Sequence, residues 1–307
     1  MAEMALFPAD CANRLRFQTN YGESMIKRKF FGSACVAAML VTLFGLTGAA
    51  DSRAAAPPLP AQVSYADIAD LADSAAVVIR ASPRKVVQVE PARARGLRPG
   101  WGRFYVEAKT EALLAGSAPL GEALRYLVDL PLDAKGKAPK FKKKSVILFA
   151  RLVPGRPGEL QLVAPDAQLL WDPALEGRVA AALRELFALG APQRISGVRE
   201  AVHVAGNLAG EGETQIFLTS SNGEPAAITV SRKPGSAPRW GVSFTELVAL
   251  DSAPARDSLG WYRLACFLPL MLPNSANVSE SNADRTAAAR DYAFVLGQLG
   301  PCPRYRR

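Results

Sequence analysis

His203 is the only histidine among the 307 residues, and it limits the chemistry that this chain could perform. A metal site built from several histidines is excluded, and the few cysteines supply no alternative set of ligands. A Ser-His-Asp mechanism would have to use His203, yet no Gly-x-Ser-x-Gly segment carries a serine for it. His203 stands in the alternating segment 201–205, which predicts a strand histidine on the less buried side of a sheet.

Ser82 and Lys85 have the Ser-x-x-Lys spacing of penicillin-binding enzymes. That chemistry needs the serine at the start of a helix and the lysine one turn later, so that the ammonium group reaches the hydroxyl. Pro83 and the β-branched run 86–89 instead predict a turn that enters a strand. The two side chains would then diverge, and the spacing would have no catalytic meaning.

Phosphate-binding loops are not indicated either. Gly136 and Lys137 lack both the upstream glycine and the following hydroxyl residue of a P-loop. The glycines around Gly210 predict a flexible turn, because they do not have the Gly-x-Gly-x-x-Gly spacing. The sequence therefore predicts no cofactor, no metal and no catalytic residue.

A short helix is predicted to begin at Ser64, which forms a capping-box pattern with Asp67. Asp67, Asp70 and Asp73 recur at every third residue of this helix. Three carboxylates could suggest a metal site, but at helical spacing they more often form a solvated face. We therefore expect these aspartates to face water.

The positive charge of the chain, formally +9, is concentrated in two segments. Their members are Arg80, Arg84, Arg93, Arg95, Arg98 and Arg103 in one, and Lys135, Lys137, Lys140, Lys142, Lys143 and Lys144 in the other. If both segments lie on one rim, they could bind an anionic ligand without a specific pocket. The candidate surface is Arg93, Arg95, Arg98, Arg103, Lys140, Lys142, Lys143 and Lys144. The alternative is a solvated loop that keeps the protein soluble.

Aromatic residues lie among these basic segments, which is also the composition of a single-strand nucleic-acid groove. They are Trp101, Phe104, Tyr105, Tyr126 and Phe141. Most of them fit core positions of strands, and an exported protein would meet little nucleic acid. Nucleic acid is therefore disfavoured as a partner.

An export signal is indicated at 25–50. Met25 begins a cationic stretch, an uncharged run covers 30–50, and small residues precede Asp51. We expect translation to start at Met25, residues 1–24 to be a mis-called extension, and cleavage to leave Asp51 as the first residue. The protein would then be periplasmic or secreted. The alternative is an inner-membrane anchor through residues 30–50, a run just long enough to cross a bilayer.

Cys266 and Cys302 are the two cysteines that remain after such cleavage. In an oxidising compartment an isolated pair most simply forms a disulfide. The alternative is two unpaired buried thiols.

The first half of the remaining chain is dominated by β-branched segments between Gly, Pro and Lys turns. The predicted strands are 77–79, 86–89, 103–108, 124–130, 145–151 and 160–163. Five or six short strands of this kind favour a small antiparallel barrel.

A resemblance accompanies this order of elements. A helix and a "VVIR" strand, then "FYVEAKTEALLAG", a further strand and an "ILFAR" strand resemble uncharacterised exported bacterial proteins with an OB-like β-barrel. The resemblance covers about residues 62–165 and implies a fold rather than an activity, so it brings no site residues. The lysine-rich stretch 135–144 has no place in that pattern.

The second half is predicted to start with a helix over 172–190, capped by Asp172 and ended by Gly190. Strands follow at 200–204, 214–220, 226–232, 241–247 and 261–267, with a hairpin turn at Asn222-Gly223. A last helix is predicted over about 284–299, stopped by Gly300.

The sequence thus predicts a mainly β protein with a few helices (α+β): an OB-like antiparallel barrel, a connecting helix and a second small antiparallel β unit. The expected boundaries are 1–50 for the extension and signal peptide, 51–61 for a linker, 62–167 for the barrel, 168–192 for the connecting helix, 193–272 for the second β unit, and 273–307 for a linker and C-terminal helix.

The expected function is that of a non-catalytic binding or assembly module in the cell envelope. Its partner would be anionic: a lipid, a glycan or an acidic protein. The alternative is a hydrolase of unfamiliar type that uses Asp129, Asp166 or Asp172 with Arg or Lys. No sequence feature pairs these carboxylates or fixes an oligomeric state.

Overall fold

The structure is a computed structural model that describes residues 63–117, 120–245 and 252–306. These residues form ten β-strands and four α-helices, so the fold is mainly β, as the sequence predicts. The predicted start at Met25, the signal at 25–50 with its alternative as an anchor, and the linker at 51–61 lie outside the described residues. Within the described ranges, no helix combines the length and the apolar composition that crossing a bilayer requires.

Six strands form the first sheet. They are β1 (Val77–Gln88), β2 (Trp101–Ala115), β3 (Ala123–Pro131), β4 (Val146–Leu152), β5 (Glu159–Leu162) and β6 (Gln168–Leu170). Their order is β1-β2-β3-β5-β4-β6, and β1 also pairs with β4. The first five strands therefore close into a barrel, in which only β3 and β5 are parallel. This closed barrel is OB-like at the level of the fold.

β1 runs without interruption through Ser82–Lys85, so the turn predicted there is wrong. The pairing with β2 shifts register between Pro83 and Lys85, which marks a bulge. A bulge tolerates proline, which has no N–H to donate to a ladder, and it bends the strand. The bend allows the first part of β1 to pair with β4 while the whole strand pairs with β2. The bulge is therefore part of the closure of the barrel.

Two helices contribute to the barrel core. α1 (Tyr65–Ser74) has the predicted capping box at Ser64, and α2 (Pro173–Leu186) has the predicted cap at Asp172. Ile68 of α1 and Val179 of α2 are fully buried in one apolar cluster with the barrel strands. Ala66, on another side of α1, belongs to a second cluster. α1 therefore packs into both cores of the molecule.

The second core lies against a four-stranded antiparallel sheet in the order β10-β9-β8-β7. Its strands are β7 (Ile195–Ala205), β8 (Gly212–Ser220), β9 (Ala226–Arg232) and β10 (Arg239–Ser243). The turn between β8 and β9 contains Gly223 at a φ of +82°, as the Asn-Gly pair predicts. The C-terminal part of the strand predicted over 241–247 falls outside the described residues.

The strand predicted over 261–267 is wrong, because this segment is the helix α3 (Leu259–Ala265). Ser258 caps it by accepting a hydrogen bond from the backbone N–H of Trp261. Leu259, Trp261, Tyr262 and Leu264 are all buried, since α3 lies between α1, α2 and the last helix. A helix buried on every side shows no apolar stripe, and its periodicity cannot be read from the sequence.

α4 (Asn282–Leu299) is the predicted final helix, and Cys266 forms the predicted disulfide with Cys302 just beyond it. The indole N–H of Trp261 donates to the carbonyl of Leu299, 2.9 Å away. These contacts bring the last residues of the chain back to α1.

The three aspartates of α1 bind groups from distant parts of the chain instead of forming a solvated face, so that prediction is wrong. Asp67 is only 2% exposed and accepts hydrogen bonds from the backbone N–H groups of Tyr305 and Arg306, each at 3.1 Å. Asp70 accepts from the hydroxyl of Tyr262 at 2.6 Å and from the guanidinium of Arg304 at 2.6 Å.

Asp73, one turn further along α1, is held by Arg263 and Arg194. Burial alone would raise the pKa of Asp73, but hydrogen bonds from both guanidinium groups outweigh it, so the pKa lies below its usual value. All the partners of Asp73 and Asp70 come from residues at least 120 positions later in the chain. Helical spacing alone therefore could not reveal them.

Replacing Asp73 with Asn should destabilise the protein by about 3 kcal/mol, because it leaves the buried cation of Arg263 without its counter-charge. Because the carboxylate has a lowered pKa, its contribution is present above about pH 4 and is lost as the pH falls through the pKa of the folded state. Urea unfolding of both proteins at several pH values measures this difference. The exposed Glu280 offers a control, since Glu280→Gln should change stability by less than about 0.5 kcal/mol. Equal stability of Asp73→Asn and wild type at neutral pH would contradict the assignment.

Replacing both Cys266 and Cys302 with Ser should lower stability by about 3–4 kcal/mol, because the unfolded chain regains the freedom of the closed loop. The two cysteines are 36 positions apart in sequence. Thermal unfolding measures the loss. Reduced wild-type protein should unfold at the same temperature as the double variant, and a reduced protein as stable as the oxidised one would contradict the prediction.

Candidate functional site

The two basic segments of the sequence meet at one end of the barrel. β1 and β3 are both antiparallel to β2, so the loops that follow them leave the barrel at the same end. The first loop covers 89–100 and the second covers 132–145. A backbone hydrogen bond of 2.8 Å from the N–H of Leu132 to the carbonyl of Gly100 joins the two loops. We call residues 89–100 and 132–145 the basic rim.

Local contacts hold the lysine-rich loop of the rim in place. Phe141, only 6% exposed, belongs to the barrel core and anchors the middle of this loop. The carboxylate of Asp133 accepts hydrogen bonds from the backbone N–H groups of Lys135 and Lys137, both at 2.8 Å. The N–H of Lys143 donates to the carbonyl of Pro83 in the β1 bulge, 2.9 Å away. The lysine side chains around this anchor are exposed.

The basic rim carries the net charge of this part of the protein. Between Asp51 and Arg307 the rim holds nine of the 32 Lys and Arg residues but only two of the 25 Asp and Glu residues. The remaining residues of this span hold 23 charges of each sign, and their net charge is zero. Among the described residues, no carboxylate oxygen lies within 4.0 Å of the charged side-chain nitrogens of the nine rim cations. A concentrated, unneutralised charge of this kind raises the local concentration of anions.

Seven of the eight residues of the predicted anionic-ligand surface lie on the basic rim, and all seven are exposed. They are Arg93, Arg95, Arg98, Lys140, Lys142, Lys143 and Lys144. The guanidinium of Arg98 lies 5.0 Å from the ring centre of Trp101.

Arg103 differs from the other seven, because it lies in β2 and binds Asp129 of β3. Its Nε and Nη2 donate to the two carboxylate oxygens at 2.7 and 2.8 Å. This hydrogen-bonded pair raises the pKa of Arg103. The charge of Arg103 is therefore neutralised within the barrel wall.

The carboxylates of the alternative hydrolase each have a structural partner. Asp129 binds Arg103, Asp166 lies 3.0 Å from Arg306, and Asp172 caps α2. In the described ranges, no cluster of three or more His, Cys, Asp or Glu residues has the arrangement of a metal site.

His203 is 8% exposed and faces α4, so the prediction that it lies on the less buried side of its strand is wrong. Its Nδ1 lies 2.8 Å from the hydroxyl of Thr214, and that hydroxyl donates to Asp291 at 2.5 Å. The second oxygen of Asp291 accepts from Arg232. The sequence signal for this network is an aspartate on the buried stripe of the final helix, between Ala288 and Val295.

A groove that the sequence did not indicate lies on the outer face of β1, β2 and β3. Its volume is about 500 Å³. Charged side chains from all three strands line it around the half-buried ring of Tyr105. This volume lies in the range of small-molecule sites.

The fold and the basic rim define the class of this protein as an OB-like barrel with a cationic loop pair at one end, followed by a four-stranded antiparallel sheet. No protein-family model matches the chain, and neither does any curated protein.

Replacing Arg103 with Gln should lower stability by about 2 kcal/mol, because Asp129 loses a charged hydrogen-bond partner in a mostly buried setting. Affinity for anions should stay within about twofold, since the charge of Arg103 is already neutralised. Urea unfolding and binding to an anion-coated surface separate the two effects. Lys140→Gln is the matched control: it should lower the affinity for anions and leave the stability unchanged. A loss of affinity without a loss of stability in Arg103→Gln would place Arg103 in the ligand surface instead.

Proposed function

We propose that this protein is an exported, non-catalytic binding or assembly module that holds an anionic component of the cell envelope on its basic rim. The observation that carries the proposal is the charge distribution: the whole positive excess between Asp51 and Arg307 belongs to two adjoining loops. The predicted signal at 25–50 supplies the compartment, periplasmic or secreted. The disulfide between Cys266 and Cys302 is compatible with it, because such bonds persist in oxidising compartments.

The chemistry of the rim suits a ligand with many charges. Six of its nine cations are lysines, whose ammonium groups are strongly hydrated point charges on flexible stems. Such groups follow an extended or fluid anionic surface better than they fix one small anion. The rigid anchor Phe141 keeps the loop in place while the side chains adapt.

The hydrolase alternative has less support in the structure. Asp129, Asp166 and Asp172 each stabilise the fold through an arginine or a helix end. A general acid or base needs to reach a substrate proton, and these groups are already engaged.

Replacing Lys142, Lys143 and Lys144 with Gln should weaken retention on anionic surfaces. Each lysine near such a surface contributes about 1 kcal/mol, so the triple variant should bind roughly 100-fold more weakly. Sedimentation with phosphatidylglycerol vesicles and elution from an acidic-polysaccharide resin, both over a salt series, measure the change.

The control for this experiment removes three exposed cations outside the rim. Arg184, Lys233 and Arg239 are exposed and form no ion pair among the described residues. Their replacement with Gln gives the same net charge as the rim variant. If both variants lose the same affinity, net charge alone governs retention, and the rim has no special role. Unchanged retention of the rim variant on every anionic surface would also refute the proposal.

A further inference from the structure

The groove on the outer face of β1, β2 and β3 adjoins the basic rim. Its charged lining consists of Arg84, Glu107, Lys109, Glu122 and Arg125. Arg84 directly follows Pro83, whose carbonyl accepts the hydrogen bond from the N–H of Lys143 in the rim. This contact places the backbone of Lys143 beside the strand position next to Arg84.

Two cations of the groove lack a carboxylate partner. Lys109 binds Glu122 at 2.8 Å, and Glu107 binds Lys85 at 3.0 Å. Arg84 and Arg125 are exposed, and within the described ranges neither has a carboxylate at 4.0 Å or less. Each guanidinium is thus free to bind a carboxylate or a similar anion through two parallel hydrogen bonds.

An apolar strip crosses the same face. Tyr105 of β2 is the register partner of Val87 in β1 and of Leu127 in β3. Val87 is 46% exposed and Leu127 is 50% exposed, on either side of the half-buried Tyr105 ring. Three adjacent strands therefore present an apolar strip beside two guanidinium groups that have no carboxylate partner among the described residues.

We propose that the groove is a subsite for an acidic polysaccharide, which runs from the basic rim past Arg84 onto Tyr105 and Arg125. The inference rests on the proposed function, because the rim supplies the first contacts and the groove then selects the class of anion. A ligand that is both acidic and rich in hydroxyl groups matches the charged and the aromatic groups of the groove.

Each feature of the groove has a counterpart in such a polymer. The carboxylates of uronate residues bind Arg84 and Arg125. Sugar hydroxyls donate hydrogen bonds to the carboxylate oxygens of Glu107 and Glu122. A ligand that carried only anionic groups would be repelled by these two carboxylates. The C–H face of a sugar ring packs on Tyr105 and removes its exposed apolar surface from water.

Other anionic macromolecules match the groove less well. A lipid bilayer is broad and does not enter a concave face between exposed strands. A nucleic acid carries one phosphate per nucleotide, and its phosphates would lie beside the carboxylates of Glu107 and Glu122, which repel them. Tyr105 is the single aromatic residue in the lining, whereas single-strand grooves stack successive bases on several rings.

The test uses the full protein and measures its affinity for alginate oligomers, for the uronate disaccharide, for single-stranded DNA and for phosphatidylglycerol vesicles. Two groove variants are compared with wild type: Arg84→Gln with Arg125→Gln, and Tyr105→Ala. Each should bind long alginate oligomers about tenfold more weakly. Both should retain wild-type sedimentation with vesicles, because the rim is intact.

Arg184→Gln with Arg239→Gln removes two charges elsewhere and should leave the alginate affinity unchanged. Circular dichroism melts confirm that each variant is folded.

The outcomes separate the two proposals. In one outcome, alginate binding depends on Lys142, Lys143 and Lys144 while the groove variants bind like wild type. That result supports anion binding by the basic rim and refutes the groove subsite. If wild type binds vesicles or DNA through the rim but does not bind alginate, the polysaccharide subsite is refuted and anion binding by the basic rim is still supported. If wild type binds none of these anions, both proposals fail. Affinity that rises from the disaccharide to the long oligomer in wild type, and rises less in both groove variants, supports the subsite.

Discussion

The pairing of three aspartates on one short helix with groups from distant parts of the chain is the constraint on which the rest of the structure depends. Asp67 of α1 is buried, and Asp70 and Asp73 are partly buried, on a helix that packs into both apolar cores, where an unpaired carboxylate would be costly. Their partners are backbone N–H groups near the C-terminus, the hydroxyl of Tyr262, and arginines that follow α2 in the chain. The barrel and the second sheet are therefore coupled through charge as well as through apolar contact.

The basic rim, in contrast, remains unneutralised among the described residues. Elsewhere between Asp51 and Arg307 charges of both signs are equal in number, and many are paired across elements, as Arg103 is with Asp129. The rim cations have no such partners among the described residues, although loops of a stable barrel could have carried carboxylates. Under the proposed function, the uncompensated positive charge of the basic rim holds a multivalent anion, and the barrel is the fixed scaffold. The groove beside the rim adds shape to a surface that otherwise offers only charge.

The sequence predicted those elements whose signals are local. The barrel strands, the capping box at Ser64, the cap at Asp172 and the Asn-Gly turn before Glu224 all depend on neighbouring residues. The concentration of cations could also be counted in the sequence. The predictions failed where the environment comes from elsewhere. α3 is buried on every side and shows no stripe, and Pro83 lies in a bulge of β1 whose two partner strands come from distant parts of the chain.

For the candidate site, the amino-acid sequence by itself determined which side chains are cationic, which cysteines could pair and which chemistries lack residues. Only the tertiary structure decided that two loops separated by β2 and β3 share one end of a barrel. It also decided that Arg103 is neutralised while Arg84 has no carboxylate partner among the described residues, and that His203 is buried beside Asp291. The physical reason is that charge is a property of a residue, whereas its partner and its access to water depend on strand pairing and on helices contributed by distant parts of the chain.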